Sequence, residues 1–395
     1  MKRFFSYIIL SFFLLLLPTG QASANNNDSI RLSLLTCAPG EEIYSLFGHT
    51  AIRYENPSQG IDVVFNYGLF SFNTPNFIFR FSLGETDYQL GATDYERFAA
   101  EYAFFGRSVW QQTLNLTDEE KTELIRLLQE NYRPENRVYR YNFFYDNCAT
   151  RPRDKIEESI AGKVIYPAEP QDGSLTFRDI VHQYCKGHPW ARFGIDLCIG
   201  SEADQPITQR QMMFAPFYLM DAFDGAQIKS DSIQRPLITA NELVVDATPE
   251  PDESGWMPTP LQCPLLLFIL TTAATIYGIR RRTGLWGIDL FLFGIAGIVG
   301  CVLAFLALFS QHPAVNSNFL LLVFHPGQLL FLPYIIYCVR KGKKCWYLTL
   351  NLAVLTLFIV LFPVIPQRFD FAVVPLALVL LIRSASNLIV TSKKK

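Results

Sequence analysis

The chain has 395 residues, half of them hydrophobic, with 34 basic against 36 acidic side chains and a formal net charge of -2. That balance gives no reason to expect nucleic acid as a partner. The apolar residues gather at the two ends of the chain, so the compartment has to be settled first.

Residues 1–24 read as a secretory signal: Lys2 and Arg3, an apolar run from about Phe4 to Leu17, then "ASA" ending at Ala24. A retained membrane anchor is the alternative, although the run is short and ends in Pro18 and Gly20. No lipobox cysteine follows, and the mature chain is expected to begin near Asn25, with an extracytoplasmic domain over 25–245. Within it, "HTAIRY" and "DVVFNYG" read as two strands around the turn "ENPSQG". Side chains two apart share a face, so His49, Ala51 and Arg53 point one way and Thr50, Ile52 and Tyr54 the other. "LTDEEKTELIRLLQENY" predicts a helix with Thr117 as N-cap, Glu120 completing a capping box, and Leu124, Leu127 and Leu128 as its buried stripe. "RVYRYNFFY" (137–145) predicts a strand or extended segment, and "RDKIEESIAG" a helix ending at Gly162. Pro152 moves the start of that helix past Cys148, which then sits on the turn before it. A thiol so near the positive end of a helix dipole is expected to have a lowered pKa.

The linker "DATPEPDESGWMPTP" (246–260) leads into a membrane domain over 261–392. Five apolar segments, approximately 261–279, 285–309, 319–339, 346–365 and 370–390, are each long enough to cross roughly 30 Å of hydrocarbon. "RRR" (280–282), "RKGKK" (340–344) and "KKK" (393–395) follow the first, third and fifth, whereas the alternate loops 310–318 and 366–370 carry one arginine between them. The positive-inside rule puts the basic flanks in the cytoplasm and residues 25–260 outside. Arg383, late in the last span, is expected to snorkel or to end it.

Four cysteines fall in the exported region: Cys37, Cys148, Cys185 and Cys198. Cys185 and Cys198 bound "CKGHPWARFGIDLC" and suit a structural disulfide in an oxidising compartment. A Cys37–Cys148 bridge would make Cys148 structural as well. As a nucleophile, Cys148 would need a base and an oxyanion stabiliser. Among the exported histidines His49, His182 and His188, His49 has the best local context, on a strand after a glycine and facing a polar direction. Arg151 and Arg153 flank Cys148 and Arg53 shares the face of His49; each is either a cation for a lipid phosphate or a salt-bridged structural residue. "NFIFRF" (76–81) and "YNFFY" are either core packing or a groove for acyl chains. In the outer loop, His312, Pro313, Asn316 and Asn318 either meet the exported domain and help bind a head group, or are interfacial polarity alone. No spacing suits a metal and no glycine-rich phosphate loop occurs, so no cofactor is expected.

"FGHTAIRY", "NYG" (66–68), "YNFFYDNC", "RD" (153–154) and the outer-loop "HPAVNSN" resemble the Lnb family of bacterial lipoprotein N-acyltransferases, over the whole chain. At greater distance, a strand histidine followed by "NC" at a helix start resembles circularly permuted papain-like acyltransferases of the lecithin–retinol acyltransferase type. The resemblance implies an α+β, permuted papain-like extracytoplasmic domain fused to a C-terminal bundle of five transmembrane helices, in the bacterial cytoplasmic membrane with the N-terminal domain on the periplasmic side. It implies Cys148 as nucleophile, His49 as general base and Asn66 as the residue orienting the imidazole, although Asn66 also reads as turn chemistry before Tyr67-Gly68. The implied partners are a phospholipid acyl donor and a diacylated lipoprotein, whose free α-amine takes the chain from a Cys148 thioester. Two other readings stay open: a thiol hydrolase of lipid esters or peptidoglycan peptides, and a non-catalytic membrane scaffold with Cys148 in a disulfide.

Overall fold

A computed structural model of the chain describes residues 30–71, 73, 75–167, 175–230, 234–248 and 256–392. The expected signal peptide, the start near Asn25, part of the linker and the terminal lysines lie outside them. The exported half is built on strands β1 (Arg31–Cys37), β2 (His49–Asn56) and β3 (Ile61–Leu69), short helix α1 (Phe77–Leu83), β4 (Asp87–Asp94), α2 (Tyr95–Phe104) and β5 (Val109–Leu114). There follow α3 (Asp118–Tyr132), β6 (Val138–Arg140), α4 (Thr150–Ser159), β7 (Lys163–Ile165), α5 (Phe177–Tyr184) and α6 (Pro189–Cys198). Short α7 (Gln209–Met212), α8 (Pro216–Asp224), β8 (Gln227–Lys229), β9 (Gln234–Pro236) and β10 (Ile238–Val245) complete it. Seven strands form one antiparallel sheet in the order β10-β5-β1-β2-β3-β4-β6, and β7, β8 and β9 form a small second sheet.

Alternation along the strands assigns the two faces. Leu32, Leu34, Ile52 and Leu90 pack with Leu124 and Leu128 of α3, Ile156 of α4 and Phe223 of α8. Leu35, Cys37, Ala51 and Val64 point the other way, against Phe98 of α2. The expected strand pair forms with its turn at 57–60, and α3 carries the expected capping box and leucine stripe. Helix α4 begins at Thr150, two residues beyond Cys148. Pro152 is its third residue, where the missing N–H would have had no intrahelical partner.

In the C-terminal half, α9 (Gln262–Arg281), α10 (Trp286–Phe309) and α14 (Val373–Ser392) are each long and apolar enough to cross a membrane. The third apolar segment is not the continuous helix expected of it. It runs as a 3-10 turn, α11 (Gly327–Leu330) and α12 (Leu332–Lys341), bent by 74°. Glycines on α10 accept the break: a Cβ on Gly300 would lie 2.4 Å from the backbone nitrogen of His325, and one on Gly297 2.5 Å from that of Leu329. Helix α13 (Trp346–Leu361) has 16 residues, about 24 Å at 1.5 Å each, shorter than the roughly 30 Å of hydrocarbon. His325, in the break, reaches Asn351 at 3.3 Å, which in turn donates to Ser384. Arg383 neither snorkels nor ends its helix: it is buried and forms a two-pronged pair with Asp289 at 2.7 and 3.0 Å, and donates to Thr275. Pairing inside the bundle avoids the cost of an isolated charge in hydrocarbon.

The two halves are stitched together by the outer loops. Gln311 N donates to Leu83 O, Gly200 N to Ala314 O and Ser201 N to Ser317 O. From the loop before α14, Arg368 bonds Asp204, Asp179 and Thr176. Buried Arg178 organises the same corner, pairing with Asp196 and Asp204.

Candidate active site

The register of β2 and β3 joins two of the candidate residues. Ala51 pairs with Asn66, so Asn66 lies diagonally from His49 on the same sheet face. The side chains meet: His49 Nε2 is 3.0 Å from Asn66 Oδ1. A carbonyl oxygen only accepts, so Nε2 carries the proton and Nδ1 keeps its lone pair. Asn66 is therefore a strand residue bonded to the imidazole. Continuing the register by two would set Gly68 opposite His49, but Gly68 has φ 88° and the β2–β3 ladder stops at Ala51. Cys148 sits at that opening. A Cβ on Gly68 would be 3.5 Å from the Cβ of Cys148, and the backbone of Thr50, the residue after His49, hydrogen-bonds the sulfur.

Asn147 holds the turn that presents the thiol. Its Oδ1 accepts from Ala149 N (2.8 Å) and Thr150 N (3.0 Å), and its Nδ2 donates to Phe143 O (2.8 Å) and Phe214 O (2.9 Å). The first amides of α4 are thus spent on Asn147 rather than on the thiol. The expected lowering of the thiol pKa does not occur. Burial instead pushes Cys148 up to about 11, against the lowering effect of backbone hydrogen bonds from Thr50 and from its own amide. Burial likewise pulls His49 down to about 4, opposed by its bond to Asn66 and assisted by the charge of Arg107. At neutral pH the resting pair is a thiol beside a neutral imidazole.

Two further groups lie at the site, Tyr139 and Cys37; the sequence offered Cys37 only as a disulfide partner for Cys148 and did not single out Tyr139. Tyr139, on β6, has a buried hydroxyl with no hydrogen-bond partner among the described residues, 3.9 Å from the same Gly68 position that faces Cys148. Cys37 lies opposite His49 across β1 and β2, bonded to Tyr102 and pushed by burial up to about 12. Register reveals Cys37 only once β1 is paired, and nothing in the sequence distinguishes Tyr139 from its aromatic neighbours. All four exported cysteines are free thiols. The expected Cys185–Cys198 bridge is absent, and so is a Cys37–Cys148 bridge.

The predicted cations do not converge on the thiol. Arg53 holds Asp62 in a two-pronged pair, donates to Gln111 at 2.7 Å and stacks on Tyr95 of α2. Arg151 pairs twice with Asp146 and lies 3.5 Å over the Tyr139 ring. Arg153 is buried between Asp154 and the carbonyl of Arg210. All three fit the salt-bridged alternative. His312 packs on the Phe81 ring and donates from Nε2 to Phe81 O, which ties the outer loop to α1. Asn318 donates to Leu197 O and caps Leu320, which makes it a stitch between the halves. Asn316 is exposed in the outer loop.

Fold and site together define a membrane protein with an α+β domain that gathers a histidine and an asparagine of two interior strands and a cysteine on the turn before α4. Comparison with protein families matches residues 20–182 to the Lnb N-terminal periplasmic domain and residues 252–395 to the Lnb transmembrane domain. The chain belongs to the Lnb family, and its N-terminal domain is periplasmic. Neither the curated proteins nor the solved structures contain a match.

Proposed function

We propose that this protein is a thiol-dependent lipoprotein N-acyltransferase. The reading is carried by one observation: the Cys148 sulfur is bonded by the backbone of Thr50, beside a His49 whose Nε2 is held by Asn66. In the first half-reaction, Nδ1 of His49 takes the thiol proton as Sγ of Cys148 attacks an ester carbonyl of a membrane phospholipid. Nδ1 then returns that proton to the glycerol oxygen, a lysophospholipid leaves, and the acyl chain remains as a thioester. In the second half, the α-amine of an S-diacylglyceryl-cysteine attacks the thioester, His49 takes the amine proton, and the thiol is released as an amide forms. The Cys148 amide and the unpartnered hydroxyl of Tyr139 are the donors for the oxyanion in both halves.

Because thiol and imidazole are both neutral at rest, activation comes with substrate rather than from a standing ion pair. His49 enters each half-reaction already deprotonated, as a general base must. The membrane half suits donor and acceptor that both reside in a bilayer. The testing experiment uses a strain lacking its own lipoprotein N-acyltransferase. Wild-type protein is expected to give N-acylated lipoprotein N-terminal peptides by mass spectrometry, and Cys148→Ala a free amine. A free amine with both proteins would sink the proposal.

A further inference from the structure

The three arginines that the sequence offered for a phosphate are occupied, but a fourth lies at the site and is not. Arg107 donates from Nε to Ala38 O at 2.8 Å, and its guanidinium lies 4.7 Å over the Tyr102 ring. Ala38 follows Cys37, the residue opposite His49, so this cation stands beside the base. Among the described residues, no carboxylate pairs with Arg107 and no hydrogen bond engages its two terminal nitrogens. A fixed guanidinium with its outer donors open is suited to a phosphate.

The loop over Arg107, residues 38–48, is bounded by parts of the exported domain that touch the outer ends of the membrane helices. On one side Tyr44 meets Phe70 and Phe70 stacks on Phe77 of α1; on the same helix Phe79 packs against Phe305 of α10. On the other, Glu41 approaches His188 at the start of α6, and Trp190 of α6 donates to Pro258 O just before α9. The loop over Arg107 therefore lies between two places where the exported domain meets the outer ends of the membrane helices. Its rim carries exposed apolar side chains: Ile78 is 80% exposed, Phe79 58% and Ile43 56%. Large aliphatic and aromatic side chains left uncovered beside membrane helices are covered by lipid.

We propose that Arg107 and this rim seat a glycerophospholipid of the outer leaflet, with its phosphate on the guanidinium and its acyl chains along Ile43, Ile78 and Phe79. The assignment rests on the acyl-transfer reading, because it presents the glycerol esters, a few bonds from the phosphate, to Cys148. It also makes Arg107 a positioning residue for the donor.

The test measures binding apart from turnover, on the full-length protein in detergent. Diether phosphatidylethanolamine, which has no ester to cleave, is titrated and followed by native mass spectrometry, with a phosphate-free dialkylglycerol alongside. Arg107→Gln is expected to weaken the phospholipid at least about tenfold, the scale of one charge-assisted hydrogen bond, with Arg107→Lys in between. Ile78→Asp is expected to weaken both lipids. Unchanged phospholipid affinity in Arg107→Gln, with a wild-type melting curve, overturns the proposal; unchanged affinity in Ile78→Asp overturns the rim. Acyl transfer is scored separately. Arg107-dependent binding in a protein that transfers no acyl chain would leave the lipid seat standing and remove the acyl-transfer reading.

Discussion

Replacing Asn147 tests how the nucleophile is held. The side chain is 3% exposed and makes four hydrogen bonds, two to the first amides of α4 and two to the carbonyls of Phe143 and Phe214. In Asn147→Ala the helix loses its cap, about 1 kcal/mol, and each buried carbonyl left unpaired adds about 1 more, so the loss is about 3 kcal/mol. For a domain of this size that is a fall of about 6–12 °C in Tm. Asn147→Asp separates the two roles. It keeps an acceptor for the amides of Ala149 and Thr150 but turns a carboxylate oxygen onto two carbonyls, so it should be at least as damaging as alanine. Both would be read by thermal unfolding of the full-length protein in detergent, with Cys148 alkylation as a local probe. An alanine variant within about 1 kcal/mol of wild type, or an aspartate variant as stable as wild type, would refute this account of the turn.

Cys148 should alkylate slowly at pH 7, since a thiol at about 11 is ~10⁻⁴ thiolate four units lower, and the rate should climb about tenfold per pH unit toward 11. A plateau below pH 8 in the iodoacetamide rate would mean a preformed ion pair. With His49 lowered to about 4, the acid limb of kcat/KM should fall near pH 4, because protonation of the base removes activity as pH drops through its pKa. A limb near 6.5 would contradict the buried imidazole. In the bundle, Arg383→Met alone leaves Asp289 buried without its cation and should cost about 3–5 kcal/mol in detergent melts, while Arg383→Met with Asp289→Leu should recover most of that. Equal melting of the single and double variants would argue against the pair.

Local signals were legible where the physics is local. The capping box of α3 needs only Thr117 and Glu120, and both of its reciprocal bonds form. The alternation in "HTAIRY" gave the shared face of His49 and Arg53, and "NYG" marked Asn66 beside a glycine that must turn with positive φ. The roles of the arginines were not legible, because their partners are set by the fold: Arg53 meets Gln111 across the sheet, and Arg153 the carbonyl of Arg210. The raised thiol pKa is also set by the fold, because burial of Cys148 outweighs the backbone hydrogen bonds to its sulfur. The break in the third apolar segment was likewise hidden, since hydropathy is blind to the glycines of α10 that receive the backbone at 325–329.

The most direct test of the central claim is to catch the acyl chain on the enzyme. Full-length protein would be incubated with phospholipid of one defined acyl length and no lipoprotein acceptor, then digested and read by mass spectrometry. The account predicts that the peptide carrying Cys148 gains the mass of that acyl group, that neutral hydroxylamine removes it, and that adding a diacylated lipopeptide transfers it to the amine. An unmodified Cys148 peptide, from a protein that still N-acylates the lipopeptide, would contradict it.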